Sequence, residues 1–454
     1  MSTQASLPDG PLVAWYGDDF TGSAAVMEVL SFAGYPSILF FDIPTSEQLE
    51  RFPGYRGVGV AGVSRSKGPE WMVQHLPAIY AFLKDVGAPI RHYKVCSTLD
   101  SSPSVGSIGQ ATDLALSLGE WAPIVMGAPE IGRYQAFGNL FAKAGSETFR
   151  LDRHPTMSVH PVTPMDEGDV VKHLAKQTNK KIGLVNLVDI KAGLADQRIG
   201  DEISQGKALV ALDVVDDETL LKTGEAVWAC SGNGLFAVGS QGLEYALVAA
   251  WQQAGLAPKI SDAEPLLGVN QVAVISGSCS PITQEQIECA QQSGYSVISL
   301  DATKVIDDSD WQQEQSRAVD MAMKAIAAGS SPIMCTALGP SDPSIEALRS
   351  VVSRSRMAME DVNENIGTGL GKILKTVLNQ SEISRVAIAG GDTSSYGAQQ
   401  LGLFGVSARS LLSPGAAVLI GHSEDAEVDG LEISLKGGQM GEPDYFLKLR
   451  DGQP

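Results

Sequence analysis

Short apolar runs alternate with longer amphipathic stretches along almost the whole chain. The runs at 12–16, 37–41, 58–63, 124–126, 182–187, 208–212, 272–275, 333–336, 386–389 and 417–420 have the length and β-branched content of buried strands. Amphipathic segments of helical period fill most of the intervals between them. That rhythm predicts an α/β protein with largely parallel sheets. It breaks once, at 256–270, where LAPKISDAEPLLGVN carries two prolines, several polar residues and no helical period. We therefore expect an N-terminal domain over 1–255, a linker over 256–270 and a C-terminal domain over 271–454. Paired α/β domains commonly bind ligands at loops leaving the carboxyl ends of strands, which points to an active-site cleft between the domains.

Composition narrows the class. A chain of 454 residues is long enough for two or three domains at about 150 residues each. With 44% hydrophobic and 19% charged residues it should fold as a soluble globule rather than stay disordered. The net charge of −20 argues against nucleic acid and acidic membranes as partners, because both need a basic face. No basic-then-apolar leader opens the chain and no run approaches about 18 apolar residues, so a cytoplasmic location is expected. Five scattered cysteines without a CxxC pair fit a reducing compartment. Glycine is in excess, 48 residues without a Gly-X-Y repeat, which suggests many tight loops.

Several of those loops carry chemistry. Trp15-Tyr16-Gly17-Asp18-Asp19-Phe20-Thr21-Gly22-Ser23 follows the first strand and leads into a helical stretch. Two adjacent carboxylates there can orient polyol hydroxyls and supply a general base, while Asp19 or Thr21 can equally cap the helix. The stretch Tyr93-Lys94-Val95-Cys96-Ser97-Thr98-Leu99-Asp100 through Gly109 gathers a cation, hydroxyls and glycines before a helical segment at 110–118, a set suited to a carboxylate and several alcohols. Arg133, after the 124–126 strand, can fork onto a carboxylate or lie exposed on the surface. In the second half, Ser276-Gly277-Ser278-Cys279-Ser280-Pro281 and Gly390-Gly391-Asp392-Thr393 both leave a strand and enter a helix, where bare backbone amides attract phosphate. A third cluster, Lys436-Gly437-Gly438, reads alone as a turn near the chain's end.

Two suggestive patterns are set aside. Gly57-Val58-Gly59-Val60-Ala61-Gly62 matches GxGxxG but lies inside a strand, not between strand and helix. Gly367-Thr368-Gly369-Leu370-Gly371-Lys372-Ile373 misses the P-loop spacing and its Ser/Thr. The six histidines show no HxxxH or HExxH spacing and no GxSxG elbow occurs, so zinc and serine hydrolases have no support.

Taken together, DDFTG, YKVCST, HPVTPM, SGSCSPITQEQI, GGDTS and KGGQMG, in this order over nearly the whole chain, resemble the four-carbon acid sugar kinase family. The resemblance implies ATP-dependent phosphorylation of a short acid sugar, with the acid recognised by the N-terminal domain and the nucleotide by the C-terminal one. It implies substrate-side roles for Asp18, Asp19, Thr21 and Gly22 in DDxTG, and for Lys94, Ser97 and Thr98 in Lys-x-Asp-Ser-Thr. It implies nucleotide contacts for Ser278 and Ser280, for Gly390, Gly391, Asp392 and Thr393, and for Gly437 and Gly438. Asp18 or Asp19 is the expected catalytic base, Lys94 and Arg133 the expected carboxylate ligands, and Mg²⁺ the expected companion of ATP, with no residue assigned to a metal. The chain departs from the family where Asp-Ser-Thr-Leu-Arg-Gly-Asn is usual: it reads Cys96-Ser97-Thr98-Leu99-Asp100-Ser101-Ser102. An acid and an arginine are gone, which brings branched acids such as 3-oxo-isoapionate alongside 3-oxo-tetronate and threonate. A non-catalytic sugar-acid sensor is the alternative, and a homodimer is left open.

Overall fold

The computed structural model describes residues 6–116, 120–160, 162–232, 234–258 and 265–452. Pro161, part of the 110–118 helical segment and part of the expected linker lie outside these. The chain divides into two compact units, one of Met1–Ile38 with Thr45–Ser261, the other of Leu39–Pro44 with Asp262–Pro454.

The first unit holds strands β1 (Val13–Gly17), β2 (Ser37–Phe40, whose second half is counted with the other unit), β3 (Gly57–Ala61), β4 (Ile90–Lys94), β5 (Ala122–Val125), β6 (Arg133–Ala136), β7 (Asn139–Ala144), β8 (Glu147–Arg150), β9 (Ile182–Val185), β10 (Leu209–Leu212) and β11 (Leu235–Gly239). Its main sheet runs β3-β1-β4-β11-β5-β10-β9, parallel throughout. Apolar residues such as Val60, Tyr93, Ile124 and Phe236 fill one core beneath it, each fully buried side chain contributing about 1.5–3 kcal/mol. Strand ends are level: Gly17 stands opposite both Ala61 and Lys94, and Lys94 opposite Gly239. Loops leaving β3, β1, β4 and β11 therefore start side by side.

The second unit holds β12 (Ala273–Ser276), β13 (Ser296–Ser299), β14 (Pro332–Cys335), β15 (Arg385–Ala389), β16 (Leu403–Ser410), β17 (Val418–Ser423) and β18 (Glu432–Lys436). The order β13-β14-β12-β15-β18 is parallel, and β17 and β16 continue it antiparallel. Here too the ends are level, Ser276 opposite Cys335 and Ala389, and Ala389 opposite Lys436.

All ten apolar runs form strands, with ends shifted by up to three residues. The pattern misses the other eight strands of the described residues: β4, which carries Arg91, His92 and Lys94, β11, β13, β16 and β18, and the antiparallel sheet β6-β7-β8, which is too polar to signal itself. Both discarded glycine patterns turn out to be packing devices. A Cβ on Gly59 would lie 2.1 Å from the Trp15 indole, and one on Gly62 2.0 Å from the Tyr16 hydroxyl, so these glycines make room for rings on the neighbouring strand. Gly367, Gly369 and Gly371 lie inside the helix Met359–Asn379. There a Cβ on Gly371 would stand 2.5 Å from the Gly397 carbonyl oxygen of the helix Gly391–Gln399. Helix propensity favours Ala over Gly by about 1 kcal/mol. Here the sign reverses: Gly371→Ala lowers thermal stability, because backbone has to give way.

Candidate active site

At the carboxyl end of β1, Asp18 and Asp19 are almost completely buried, 2% and 4% exposed. Burying two carboxylates is costly unless they are paired, and the partner is Arg65, from the short turn Ser64–Ser66 after β3. Its guanidinium donates from Nη2 to Asp18 Oδ1 at 2.6 Å, from Nε to Asp18 Oδ2 at 3.2 Å, and from Nη1 to Asp19 Oδ2 at 2.5 Å. Asp19 also caps the helix Phe20–Phe32, accepting from the Gly22 amide at 2.7 Å and the Thr21 hydroxyl at 2.7 Å. Lys94 is buried, donates to the Val95 carbonyl at 2.8 Å, and stands beside Gly22.

The two aspartates part electrostatically. Burial, with the Asp19 charge added, raises the Asp18 pKa above the usual carboxylate value although Arg65 opposes it. Burial acts on Asp19 too, but Arg65, Lys94 and the bonds from Thr21 and Gly22 outweigh it and hold its pKa down. Neighbouring carboxylates pushed in opposite directions can divide the labour of a proton-transfer site.

Beyond Lys94 the chain turns through Cys96–Asp100. Leu99 is buried in the left-handed region at φ 55, unusual for a residue with a side chain. Across this turn the Thr98 hydroxyl donates to Asp100 Oδ1 at 3.0 Å, and Cys96 Sγ lies 3.0 Å from the same hydroxyl. The Cys96 thiol is pushed up to about 11, first by burial and then by Asp100, which leaves it protonated. Arg133, at the start of β6, is half-buried rather than exposed. It donates to Ser97 Oγ at 3.2 Å and to the carbonyls of Ile131 and Gly132. The hairpin that carries it is tied down by buried Asp213, which accepts from the amides of Phe137, Gly138 and Leu187 and from the Gln135 side chain.

In the second unit three loops meet over β12, β15 and β18. Ser280 caps the helix Pro281–Gln292 and gives its hydroxyl to the Gly438 carbonyl, which also accepts from Thr283 at 3.0 Å. The Gly390 amide donates to Lys436 O at 2.9 Å, and Gly390 itself has φ 114, a conformation that suits glycine. A Cβ on Gly438 would lie 2.5 Å from Ser278 Oγ, one on Gly277 2.2 Å from Thr393 Oγ1, and one on Gly390 3.3 Å from the Ser278 amide. The glycines thus leave a bare backbone cradle at two helix N-termini, the arrangement that binds phosphate without many cations. Lys436 is fully buried, its pKa lowered to about 7 by burial, and it donates to the Gly437 and Met440 carbonyls. It shapes the loop from below. The Asp392 side chain lies outside the described residues.

Comparison with known proteins fits both halves. Residues 13–247 match a sugar-binding N-terminal domain and residues 273–446 a nucleotide-binding C-terminal domain. The chain is 42% identical over 448 residues to the 3-oxo-isoapionate kinase of Paraburkholderia graminis, covering 98% of this chain and 95% of that one. The chain belongs to the four-carbon acid sugar kinase family. It is 28% identical to the 3-oxo-tetronate kinase of Pectobacterium atrosepticum, over 95% of this chain and 97% of that one. A solved structure from Salmonella typhimurium LT2 shares the fold, with a TM-score of 0.73 at 23% identity over 98% of this chain and 100% of that one. As an acid sugar kinase it is an enzyme, and a non-catalytic sensor is not favoured. The kinase relatives and the nucleotide-binding domain imply ATP use. No helix among the described residues is long and apolar enough to cross a membrane.

Of the residues singled out from the sequence of this acid sugar kinase, the structure gathers Asp18, Asp19, Thr21, Gly22 and Lys94 in one place, and Ser97 with Arg133 in the neighbouring wall. It gathers Ser278, Ser280, Gly390, Thr393 and Gly438 in the other unit. Arg65 and Asp213 were missed. Gly391 starts a helix and Gly437 accepts from Lys436. Among the described residues no three His, Cys, Asp or Glu side chains are gathered for a metal.

Proposed function

We propose that this enzyme transfers the γ-phosphoryl group of ATP to a terminal hydroxyl of 3-oxo-isoapionate or a close branched analogue. The observation that carries the reading is the buried, split pair of carboxylates in the first unit; the second unit, taken by itself, holds a glycine cradle suited to phosphate. The 42% identity to a 3-oxo-isoapionate kinase supports the branched acid over the unbranched one.

Phosphoryl transfer needs positioning and charge neutralisation more than covalent chemistry. In this reading Asp18, with its raised pKa, accepts the proton of the attacking hydroxyl as that oxygen bonds to the γ-phosphorus and the bond to the bridging oxygen of ADP breaks. Arg65 holds both aspartates in place, Asp18 through two of its nitrogens and Asp19 through the third, while Thr21 and Gly22 fix Asp19. Arg133 and Ser97 take the acid's carboxylate, with Lys94 adding positive potential beneath. The amides and hydroxyls of Ser278, Ser280, Gly390, Gly391, Thr393, Gly437 and Gly438 hold the triphosphate, Asp392 belonging to the same loop. Mg²⁺ would sit on those phosphates near the Ser278 and Thr393 hydroxyls and supply charge neutralisation there.

A coupled ADP-release assay over 3-oxo-isoapionate, 3-oxo-tetronate and threonate tests this. We expect the highest kcat/KM with the branched acid; ADP release at background level with every acid would overturn the kinase reading.

A further inference from the structure

We propose that Asp100 is the specificity-determining residue of the acid site, accepting a hydrogen bond from a hydroxymethyl branch next to the carboxylate that Arg133 holds. The inference deepens the function proposed above and rests on it.

The observation is a pair of opposite charges kept apart. Asp100 is 9% exposed, and its one hydrogen bond among the described residues comes from the Thr98 hydroxyl to Oδ1 at 3.0 Å. Among the described residues the Arg133 guanidinium meets Ser97 Oγ and two backbone carbonyls, and no carboxylate. Neither is in an ion pair among the described residues, although each is mostly withdrawn from water. Buried charges are ordinarily paired, since leaving one alone costs several kcal/mol. Both meet the same turn, because Arg133 donates to Ser97 Oγ at 3.2 Å and Asp100, three residues on, accepts from the Thr98 hydroxyl between them.

Separate anchors prevent their collapse onto each other. On the Asp100 side, Leu99 is held at φ 55, and Ser101 donates to the Leu99 carbonyl at 2.8 Å while meeting His173 Nε2 and Gln177 Nε2 at 2.9 Å each. Burial lowers the His173 pKa to about 4, so this anchor is neutral at physiological pH. On the Arg133 side, four donors to Asp213 fix the hairpin. Strain and anchoring that hold two charges unpaired are features of a site built for a ligand. The matching ligand carries an anion for the guanidinium and a hydroxyl donor for Asp100 Oδ2. An acid with a hydroxymethyl group on the carbon next to its carboxylate has both. A carboxylate beside Asp100 would meanwhile be repelled, which fixes which end of the acid faces Arg133.

The test is kcat/KM for 3-oxo-isoapionate and for 3-oxo-tetronate in the wild type, Asp100→Ala and Asp100→Asn, with calorimetric binding of each acid. We expect Asp100→Ala to lower the branched-to-unbranched ratio at least tenfold, with the unbranched acid changed less than threefold. Asp100→Asn, which keeps an acceptor oxygen and the Thr98 contact, recovers part of the ratio. Turnover with an unchanged ratio in both variants, or equal loss on both acids, overturns the role of Asp100 alone. A wild type that neither binds nor phosphorylates either acid overturns the proposed function, and this inference with it.

Discussion

Asp18→Asn lowers kcat by about 10²- to 10⁴-fold, the range over which a positioned general base contributes, while ATP affinity stays within twofold. Asn keeps the size of the side chain and an oxygen for Arg65, so the loss reads proton acceptance rather than collapse of the site. Asp19→Asn behaves differently. Asn caps a helix as well as Asp, so the acceptor for the Gly22 amide and the Thr21 hydroxyl is kept, the charge facing Arg65 is lost, and turnover falls less. Near-normal turnover in Asp18→Asn with a large loss in Asp19→Asn would reverse the two assignments. The pH profile gives a second reading. A base acts only when ionised, and burial together with Asp19 raises the Asp18 pKa. The acid limb of kcat/KM therefore lies above the ordinary aspartate value of about 3.9. Arg65 opposes that rise, so Arg65→Gln moves the acid limb to still higher pH; a shift to lower pH would exclude Asp18 as the titrating group.

Arg65 also shows why part of the site was not legible in the sequence. It lies in Ser64-Arg65-Ser66, a polar turn like many others, 46 residues from Asp19. What gives it meaning is that β3 pairs with β1 at equal height, and strand order is a property of the sheet that local pattern does not encode. Asp213 is hidden in the same way, since its four donors come from Gln135, two residues of the Phe137–Gly138 turn, and Leu187. The elements that did announce themselves are those whose physics is local. Asp18-Asp19 after an apolar run, and glycines between a strand and a helix, mark a strand end and a helix start within a few residues. The Lys436-Gly437-Gly438 segment lies between these cases. It reads alone as a terminal turn, and becomes part of the cradle only because β18 is the parallel neighbour of β15. Length and glycine spacing can also mislead: the strand glycines beside Trp15 and Tyr16 and the helical ones beside Gly397 copy ligand motifs while serving close packing.

Gly438→Val should be the counterpart of Asp18→Asn on the nucleotide side, raising KM for ATP by about 10²-fold and leaving acid binding intact. A Cβ at this position meets Ser278 Oγ at 2.5 Å and approaches Ser280 Cβ at 3.4 Å, so the branched side chain fills the cradle and displaces the serine loop. The Ser280 hydroxyl then loses its alignment with the Gly438 carbonyl, and with it the start of the helix Pro281–Gln292 shifts. A hydrogen bond to a charged group is worth about 1.5–3 kcal/mol, and losing one or two amide contacts to phosphate corresponds to a factor of about 10² at 1.4 kcal/mol per tenfold. Fluorescent nucleotide titration measures the loss directly, and calorimetry with the acid alone checks that the other unit is unaffected. Unchanged nucleotide affinity in Gly438→Val would remove the glycine cradle from the phosphate site. A matched change at Lys436 distinguishes support from contact. Lys436→Met removes donors to the Gly437 and Met440 carbonyls without adding bulk above the loop. With a folded pKa near 7 and an unfolded one near 10.5, the lysine makes wild-type stability rise with pH across that interval, because the unfolded chain binds the extra proton. That slope should disappear in Lys436→Met, while a slope equal to that of the wild type would place the titration elsewhere.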